Sequence, residues 1–314
     1  MSTIHILQEN PEWTAPLVAE LEALDLPHEV WQLDRGLLDL AEAPPQGVFY
    51  NRMSASSHTR GHRYAPEYTA AVLAWLERHG RRVLNPRRAL ELELSKVAQY
   101  QALDRQGIPT PRTVATVGRQ QLLAAARRFD GPFISKHNRA GKGLGVQLFQ
   151  NAAELERQLQ GDGLSTSVDG ITLLQDYIRA PEPCITRVEF IGREFLYAVR
   201  VDTSEGFELC PADVCTVDGE FCPTSGGDKF RIIEGFDHSL LERYRRFLHA
   251  EGVDVAAFEF IVNEAGRAYT YDINTNTNYN AVAETRAGIS GMAALARHLG
   301  SELARLEESA SAPA

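Results

Sequence analysis

One short stretch limits the fold more than any other: two strand-like runs joined by a five-residue turn, each with one acid set in an apolar face. In Ala256-Ala257-Phe258-Glu259-Phe260-Ile261-Val262, Phe258, Phe260 and Val262 share one face and Ala257, Glu259 and Ile261 the other. The turn at 263–267 leads into a second strand over 268–274. An antiparallel hairpin centred on that turn sets Glu259 opposite Asp272, with Asn274 two residues on and so on the same face as Asp272. Directly opposed carboxylates repel, so a shared proton or a cation must offset them. Oxygen ligands without His or Cys select a hard ion such as Mg²⁺, which completes its shell with water and phosphate oxygens. The competing reading is a solvated hairpin face. A metal-bound nucleotide phosphate accounts for more.

A second chemical feature lies upstream. Gly141-Lys142-Gly143-Leu144-Gly145 separates strand-like runs at 133–136 and 146–149. Dinucleotide fingerprints and P-loops both open a helix, so neither fits. Strand, basic glycine loop and strand describe a hairpin flap that can lay backbone N–H groups and Lys142 over phosphates. Lys136 ends the run Phe133-Ile134-Ser135-Lys136, where an ammonium needs an anion or a route to water.

The rest of the chain supplies a frame. Strands at 4–7, 29–33 and 47–50 alternate with helices at 16–24 and 67–79 around a polar loop at 51–66, which predicts a parallel sheet in a small α/β unit. A helix over 89–105 opens a second unit, with strands at 113–116, 133–136, 146–149 and 171–177 and helices at 120–129 and 152–159. The third unit has strands at 187–191, 194–201, 256–262 and 268–274, helices at 239–251 and 292–306, and a frayed tail over 308–314. These readings divide the chain at 1–88, 89–178 and 179–314.

Charge is uneven. The chain carries a net −10, which argues against a broad nucleic-acid surface, yet residues 51–88 hold eight arginines against two glutamates. Arg52 follows the 47–50 strand at its carboxyl end, where ligands bind in α/β sheets, so the loop at 51–58 suits an anionic group such as a carboxylate. Arg81, Arg82, Arg87 and Arg88 read as surface. Four cysteines are too few for a disulfide framework, and Cys210, Cys215 and Cys222 lack a C-x-x-C pair, so they read as core thiols rather than zinc ligands. No membrane-spanning run and no secretory signal pattern is found, and a cytoplasmic protein is expected.

In order along nearly the whole chain, these segments resemble the ATP-grasp superfamily. The likeness is greatest to its branch of ribosomal-protein glutamate ligase, lysine-biosynthesis amino-group ligase and glutathione-synthetase-type enzymes. Ser95-Lys96-Val97, running to Gly107-Ile108-Pro109-Thr110-Pro111, is similar to the family's D-K…L…G-[IV]-P-x-P segment. Leu174-Gln175-Asp176-Tyr177-Ile178 resembles the Q-E-[YF]-I hinge, and Arg187-Val188-Glu189-Phe190-Ile191-Gly192 the R-v-f-V-v-G strand.

The resemblance implies an α/β and α+β chain, an ATP-grasp fold behind a Rossmann-like pre-ATP-grasp domain. It implies ATP held by Lys96, Lys136, the flap residues Gly141, Lys142, Gly143 and Gly145, and the hinge residues Gln175, Asp176, Tyr177 and Ile178. One or two Mg²⁺ ions, with Mn²⁺ as a substitute, would sit on Glu259, Asp272 and Asn274, and Arg200, supported by Arg187, near the γ-phosphate and an acyl phosphate.

The implied reaction is ATP-dependent amide formation between a carboxylate and an amine, on small molecules or a peptide acceptor. A phosphotransferase on the same fold and a non-catalytic nucleotide-binding protein are the alternatives. No Ser–His–Asp or Cys–His set competes. Three departures fall near the acceptor side: Asp272 replaces the usual Glu, residues 275–280 replace a Pro-Gly, and Ile185 stands where an acid is expected. Arg52, Ser54 and Asn276 are the substrate-side candidates. Assembly stays open between a monomer and a homodimer.

Overall fold

The computed structural model describes residues 2–311 other than 142, 144, 162, 205, 207–215, 218, 219 and 222–228. Lys142, Cys210, Cys215 and Cys222 therefore lie outside the described residues.

The chain opens with β1 (Thr3–Gln8), α1 (Pro11–Ala23), β2 (His28–Gln32), β3 (Gly47–Asn51), α2 (Ala65–Arg78) and β4 (Arg82–Leu84). The strands form a parallel sheet in the order β2-β1-β3-β4. Period-two alternation divides the central strands between two cores. Ile4, Ile6, Val48 and Tyr50 pack with Leu17 and Leu21 of α1, whereas Leu7 and Phe49 pack with Val72, Leu73 and Leu76 of α2. Helix α1 starts at Pro11, not at 16: Asn10 accepts from Trp13 N, and proline at the first position needs no N–H partner. The first part of the loop after β3 is polar but buried, at Arg52, Ser54, Ser56 and Ser57, whereas Thr59 and Tyr64 further on are exposed.

Next come α3 (Arg87–Leu94), α4 (Lys96–Arg105), β5 (Thr113–Thr116), α5 (Arg119–Ala126), β6 (Phe133–His137), β7 (Gln147–Phe149), α6 (Ala152–Gln160) and β8 (Thr172–Asp176). Their strands form an antiparallel sheet, β5-β8-β6-β7. The single helix expected over 89–105 is two. Ser95 breaks it with an extended backbone (φ −138°, ψ 108°), and its Oγ caps α4 by accepting from Ala98 N. The break places Lys96 at the first position of α4. Both helices, grouped by sequence with the second unit, pack into the core of the third: Ala89, Leu92, Tyr100 and Leu103 cluster with Val188, Phe190 and Phe258.

The last part holds β9 (Cys184–Ile191), β10 (Glu194–Asp202), β11 (Thr216–Val217), β12 (Glu220–Phe221), β13 (Phe230–Ile232), α7 (Leu240–Glu251), β14 (Val255–Val262), β15 (Ala268–Asn274), α8 (Ala281–Ala287) and α9 (Gly291–Ser311). Five strands pair in the order β13-β10-β9-β14-β15, and β11 pairs with β12. Glu259 faces Asp272 as the hairpin count expects, and an irregularity just after it shifts Phe260 to Thr270. Residues 308–311, expected to fray, continue α9. That helix returns to the first unit, where Leu295, Leu299 and Leu303 join the cluster of Ile4, Leu21 and Tyr50.

Polar contacts reinforce this junction. Asn85, fully buried at φ 54°, donates from Nδ2 to the carbonyls of Val255 and Thr275, both at 2.8 Å. Its Oδ1 accepts from Asp254 N at 3.0 Å and Val255 N at 2.9 Å. Arg82 and Arg88, expected at the surface, are partly buried clasps to the third unit, on Asp254 with Glu302 and on Glu251 respectively. Among the described residues no helix is long and apolar enough to cross a membrane.

Candidate active site

A cleft of about 390 Å³ is lined by β6 and β8 of the second sheet and by β14 and β15 of the third. On its wall lie Lys96, Lys136, Gly141, Gly143, Gln175, Asp176, Tyr177, Ile178, Glu259, Asp272 and Asn274. Most of the expected nucleotide residues and all three expected metal ligands therefore meet in one place. The volume suits a nucleotide-sized ligand.

Each charged group has a definite origin. The break at Ser95 aims Lys96 at β15, where its Nζ donates to Asp272 Oδ1 at 2.5 Å. Lys136 ends the apolar part of β6, donates to the Tyr271 carbonyl at 3.3 Å, and lies 5.2 Å from the Tyr100 ring centroid. Burial and the neighbouring Lys96 charge lower its pKa to about 7, against the opposing pull of Asp272 and Glu259. No carboxylate bonds this ammonium among the described residues, and a phosphate would supply the missing anion.

Glu259 is held from behind. Arg187, itself buried, donates from Nη1 to Glu259 Oε1 at 2.8 Å, from Nε to Glu189 Oε1 at 2.5 Å and from Nη2 to Thr277 Oγ1 at 2.7 Å. Thr277 Oγ1 in turn donates to Glu189 Oε2 at 2.7 Å. Asn274 Nδ2 reaches Glu259 Oε1 at 3.3 Å. Burial pushes the Glu259 carboxyl up and the Asp272 charge pushes the same way, with Arg187 opposing. Burial opposes the charge of Arg187 as well, but Glu189 and Glu259 hold its proton more tightly than usual.

This wall fits magnesium. Two carboxylates and an amide on paired strands form an oxygen donor set without imidazole or thiol. Lys96 and Arg187 offset the repulsion between the acids, the mark of a face built around positive charge.

Other expected residues fall elsewhere. Gly145 is off the cleft wall and at φ 73°, and a Cβ there would sit 2.4 Å from the His137 ring, so only glycine fits. Arg200 is partly exposed and ion-paired to Glu182, which does line the cleft, so the guanidinium stands at the mouth rather than on the wall. Arg187 supports Glu259 and is likewise off the wall. Ile185, standing in place of an acid, contributes apolar wall.

The substrate-side candidates come together beside the cleft. Arg52 donates from Nη2 to the Trp13 carbonyl at 3.1 Å and to Asn278 Oδ1 at 2.9 Å, and its buried Nη1 has no partner among the described residues. Asn276 Oδ1 is also buried and unpaired among the described residues, and Ser54 Oγ meets Ser56 Oγ at 2.9 Å. Glu93 joins these segments and gave no signal in the sequence: Oε1 accepts from Ala55 N at 3.3 Å, Oε2 from Thr275 N at 2.7 Å and Asn276 N at 3.2 Å. Burial raises its pKa despite those bonds. Arg139, equally silent in sequence, reaches from the flap side to Glu67 of α2 at 2.8 Å.

Residues 94–208 match the family model of the RimK-like ATP-grasp domain. No curated protein matches the sequence. The fold is similar to that of a RimK domain ATP-grasp protein from Sphaerobacter thermophilus DSM 20745, at 18% identity and TM-score 0.64, over 95% of this chain and 99% of that one. D-cycloserine synthetase DcsG is 16% identical at TM-score 0.64, with 96% of this chain and 100% of that one covered. The ATP-grasp ligase PsnB, complexed with a phosphomimetic variant of minimal precursor, Mg and ADP, is 17% identical at TM-score 0.65, covering 96% and 98%. The matched domain runs through the break at Ser95, the flap, the hinge and the Arg187 strand: residues 94–208 are similar to a RimK-like ATP-grasp domain, and the chain as a whole shares the fold of these ATP-grasp structures.

Proposed function

We propose that this protein is an ATP-dependent carboxylate–amine ligase that makes an amide through an acyl phosphate. One observation carries the reading: Glu259, Asp272 and Asn274 share a cleft wall with Lys96 and Lys136, beside a glycine flap and a hinge. The same architecture in a D-cycloserine synthetase and in the ligase PsnB supports both amino-acid-like and peptide acceptors as substrates.

Lys96 and Lys136 hold the triphosphate and offset charge on the transferring γ-phosphoryl group. Magnesium, when bound to Glu259, Asp272 and Asn274, neutralises phosphate charge. Arg187 keeps the Glu259 carboxylate ionised and oriented, a positioning role. Arg200, linked to the cleft through Glu182, is the guanidinium assigned to the developing acyl phosphate. The flap, with its glycines at 141, 143 and 145, covers the site and keeps water from the acyl phosphate. The main chain at Gln175, Asp176, Tyr177 and Ile178 reads the adenine edge. Arg52, Ser54 and Asn276 receive the substrate. An enzyme of this kind works where ATP is abundant, which agrees with the cytoplasm.

Purified protein incubated with amino-acid and peptide pairs tests this. ADP and free phosphate are expected only when acid and amine are both present, with a product lighter by one water than the sum of the two. Phosphate left on one acceptor without an amine would replace the ligase reading by a phosphotransferase. Asp272→Asn and Lys136→Ala are expected to abolish turnover in folded protein, and Arg200→Ala to keep nucleotide binding and lose product. Unchanged ADP release in the first two would remove the assigned nucleotide site.

A further inference from the structure

Arg139 stands two residues before the flap glycine Gly141 and is only 5% exposed, yet it is absent from the cleft wall that His137, Ala140 and Gly141 help to build. Its side chain runs to α2 instead, where Nη1 donates to Glu67 Oε1 at 2.8 Å. Nε and Nη2 are buried and have no hydrogen-bond partner among the described residues. Those two N–H groups form one edge of the guanidinium, the edge that meets a carboxylate through two parallel bonds. The paired form of that edge occurs in the same chain, where Arg60 presents Nε and Nη2 to the two oxygens of Glu9.

Among the described residues no anion meets that edge, and Asp169 is engaged by Asn138 and Ser167. Glu9 is taken by Arg60 and His62, and Glu67 is shared with Arg63 at 2.9 Å. Burial acts to raise the Glu67 carboxyl, but hydrogen bonds from Arg139 and Arg63 hold it at about 2, so a single ionised acid faces two guanidiniums. Arg52, on the neighbouring loop, has no carboxylate partner among the described residues. That loop is close: a Cβ on Gly141 would lie 3.8 Å from Ser56 Cβ, and Ser57 Oγ is likewise buried and unpaired among the described residues. A buried guanidinium with an unpaired fork costs free energy that a matched anion recovers.

We infer that the Nε/Nη2 edge of Arg139 binds a substrate carboxylate that is not consumed in the reaction. A phosphate of the nucleotide is the poorer occupant, because Arg139 lies off the cleft wall and its fork matches a planar carboxylate. The inference rests on the ligase reading: either the acid carries a second carboxylate, or the amine carries one, as an amino acid or a peptide C-terminus does.

Malonate is the test ligand, added to the intact chain saturated with Mg·ADP and read by thermal unfolding. Wild type and Glu67→Gln are expected to gain about 2 °C or more at saturating malonate. Arg139→Gln and Arg139→Lys are expected to gain less than half as much. Glu67→Gln removes the Nη1 partner and leaves the fork, so it separates ligand binding from the contact with α2. Equal gains in wild type and Arg139→Gln, loss of the gain in Glu67→Gln, or no gain in wild type would each overturn the inference. The shift caused by Mg·ADP alone is read first: its absence strikes the nucleotide cleft and the ligase reading, whereas its presence without a malonate response strikes Arg139 alone. In turnover assays, converting the non-reacting carboxylate of the acid or of the amine to a carboxamide identifies its bearer. One conversion is expected to lower ADP release roughly tenfold or more in wild type and to have little effect in Arg139→Gln. Tolerance of both conversions by wild type would also sink the proposal.

Discussion

Replacing Asn85 with alanine is expected to be among the most damaging single changes outside the cleft. The side chain satisfies two carbonyls and two amide N–H groups on the third unit, and all four bonds lie between 2.8 and 3.0 Å in a fully buried setting. Alanine leaves these groups unpaired, at about 1–3 kcal/mol each before any relaxation or entry of water. Water in the space vacated by the amide recovers part of that, for a net loss of about 3–5 kcal/mol. About 1 kcal/mol of that loss comes from holding a Cβ-bearing residue without a local hydrogen bond at φ 54°. Thermal unfolding of wild type and Asn85→Ala measures the total, with a fall in Tm of about 10 °C expected. Asn85→Gly should be milder by the backbone share, about 1 kcal/mol. Asn85→Asp, which turns lone pairs toward the Val255 and Thr275 carbonyls, should fall at least as far as alanine. An alanine variant within about 1 kcal/mol of wild type would refute the claim that these bonds join the first and third units.

Three further changes probe other parts of the molecule. Arg187→Met leaves Glu189 and Glu259 buried without their cation, and denaturant unfolding should show a loss of about 3–5 kcal/mol, smaller when Glu189→Gln is added. Gly145→Ala meets both a positive φ and the His137 ring, and the strain, about 1–3 kcal/mol, should appear as a fall in Tm of a few degrees together with roughly a tenfold or greater loss in kcat/KM for ATP. Glu67 has a folded pKa of about 2 against an ordinary 4.5, so its contribution to stability is present above pH 4.5 and lost as the pH falls toward 2. The stability difference between wild type and Glu67→Gln should stay level around neutrality and shrink in acid, and an equal difference at both ends would contradict the ion pair.

The acid pair at Glu259 and Asp272 was readable because each strand offers one acid and a hairpin allows only a narrow choice of register. Lys136 was readable because an ammonium stands out in an apolar run. Glu93 and Arg139 were not, since each becomes unusual only through what packs around it: Glu93 alternates with leucines on a short helix, and Arg139 lies in a polar stretch before the flap. The break at Ser95 was hidden because serine fits within a helical pattern as easily as it caps one. That α3 and α4 pack against the sheet of the third unit is not legible, because adjacency in sequence does not reveal which sheet an apolar face will cover. Arg200 could be placed on its strand, but its partner Glu182 lies in an irregular segment that no periodicity describes.

Helix α9 closes the chain against its opening strand, with Leu295, Leu299 and Leu303 in the cluster that holds Ile4 and Tyr50. An engineer hoping to exchange substrate preference by transplanting the first 84 residues from another chain of this fold would therefore strip that helix of its matching surface. A workable chimera must carry both ends of the polypeptide from one donor and draw only the middle from another.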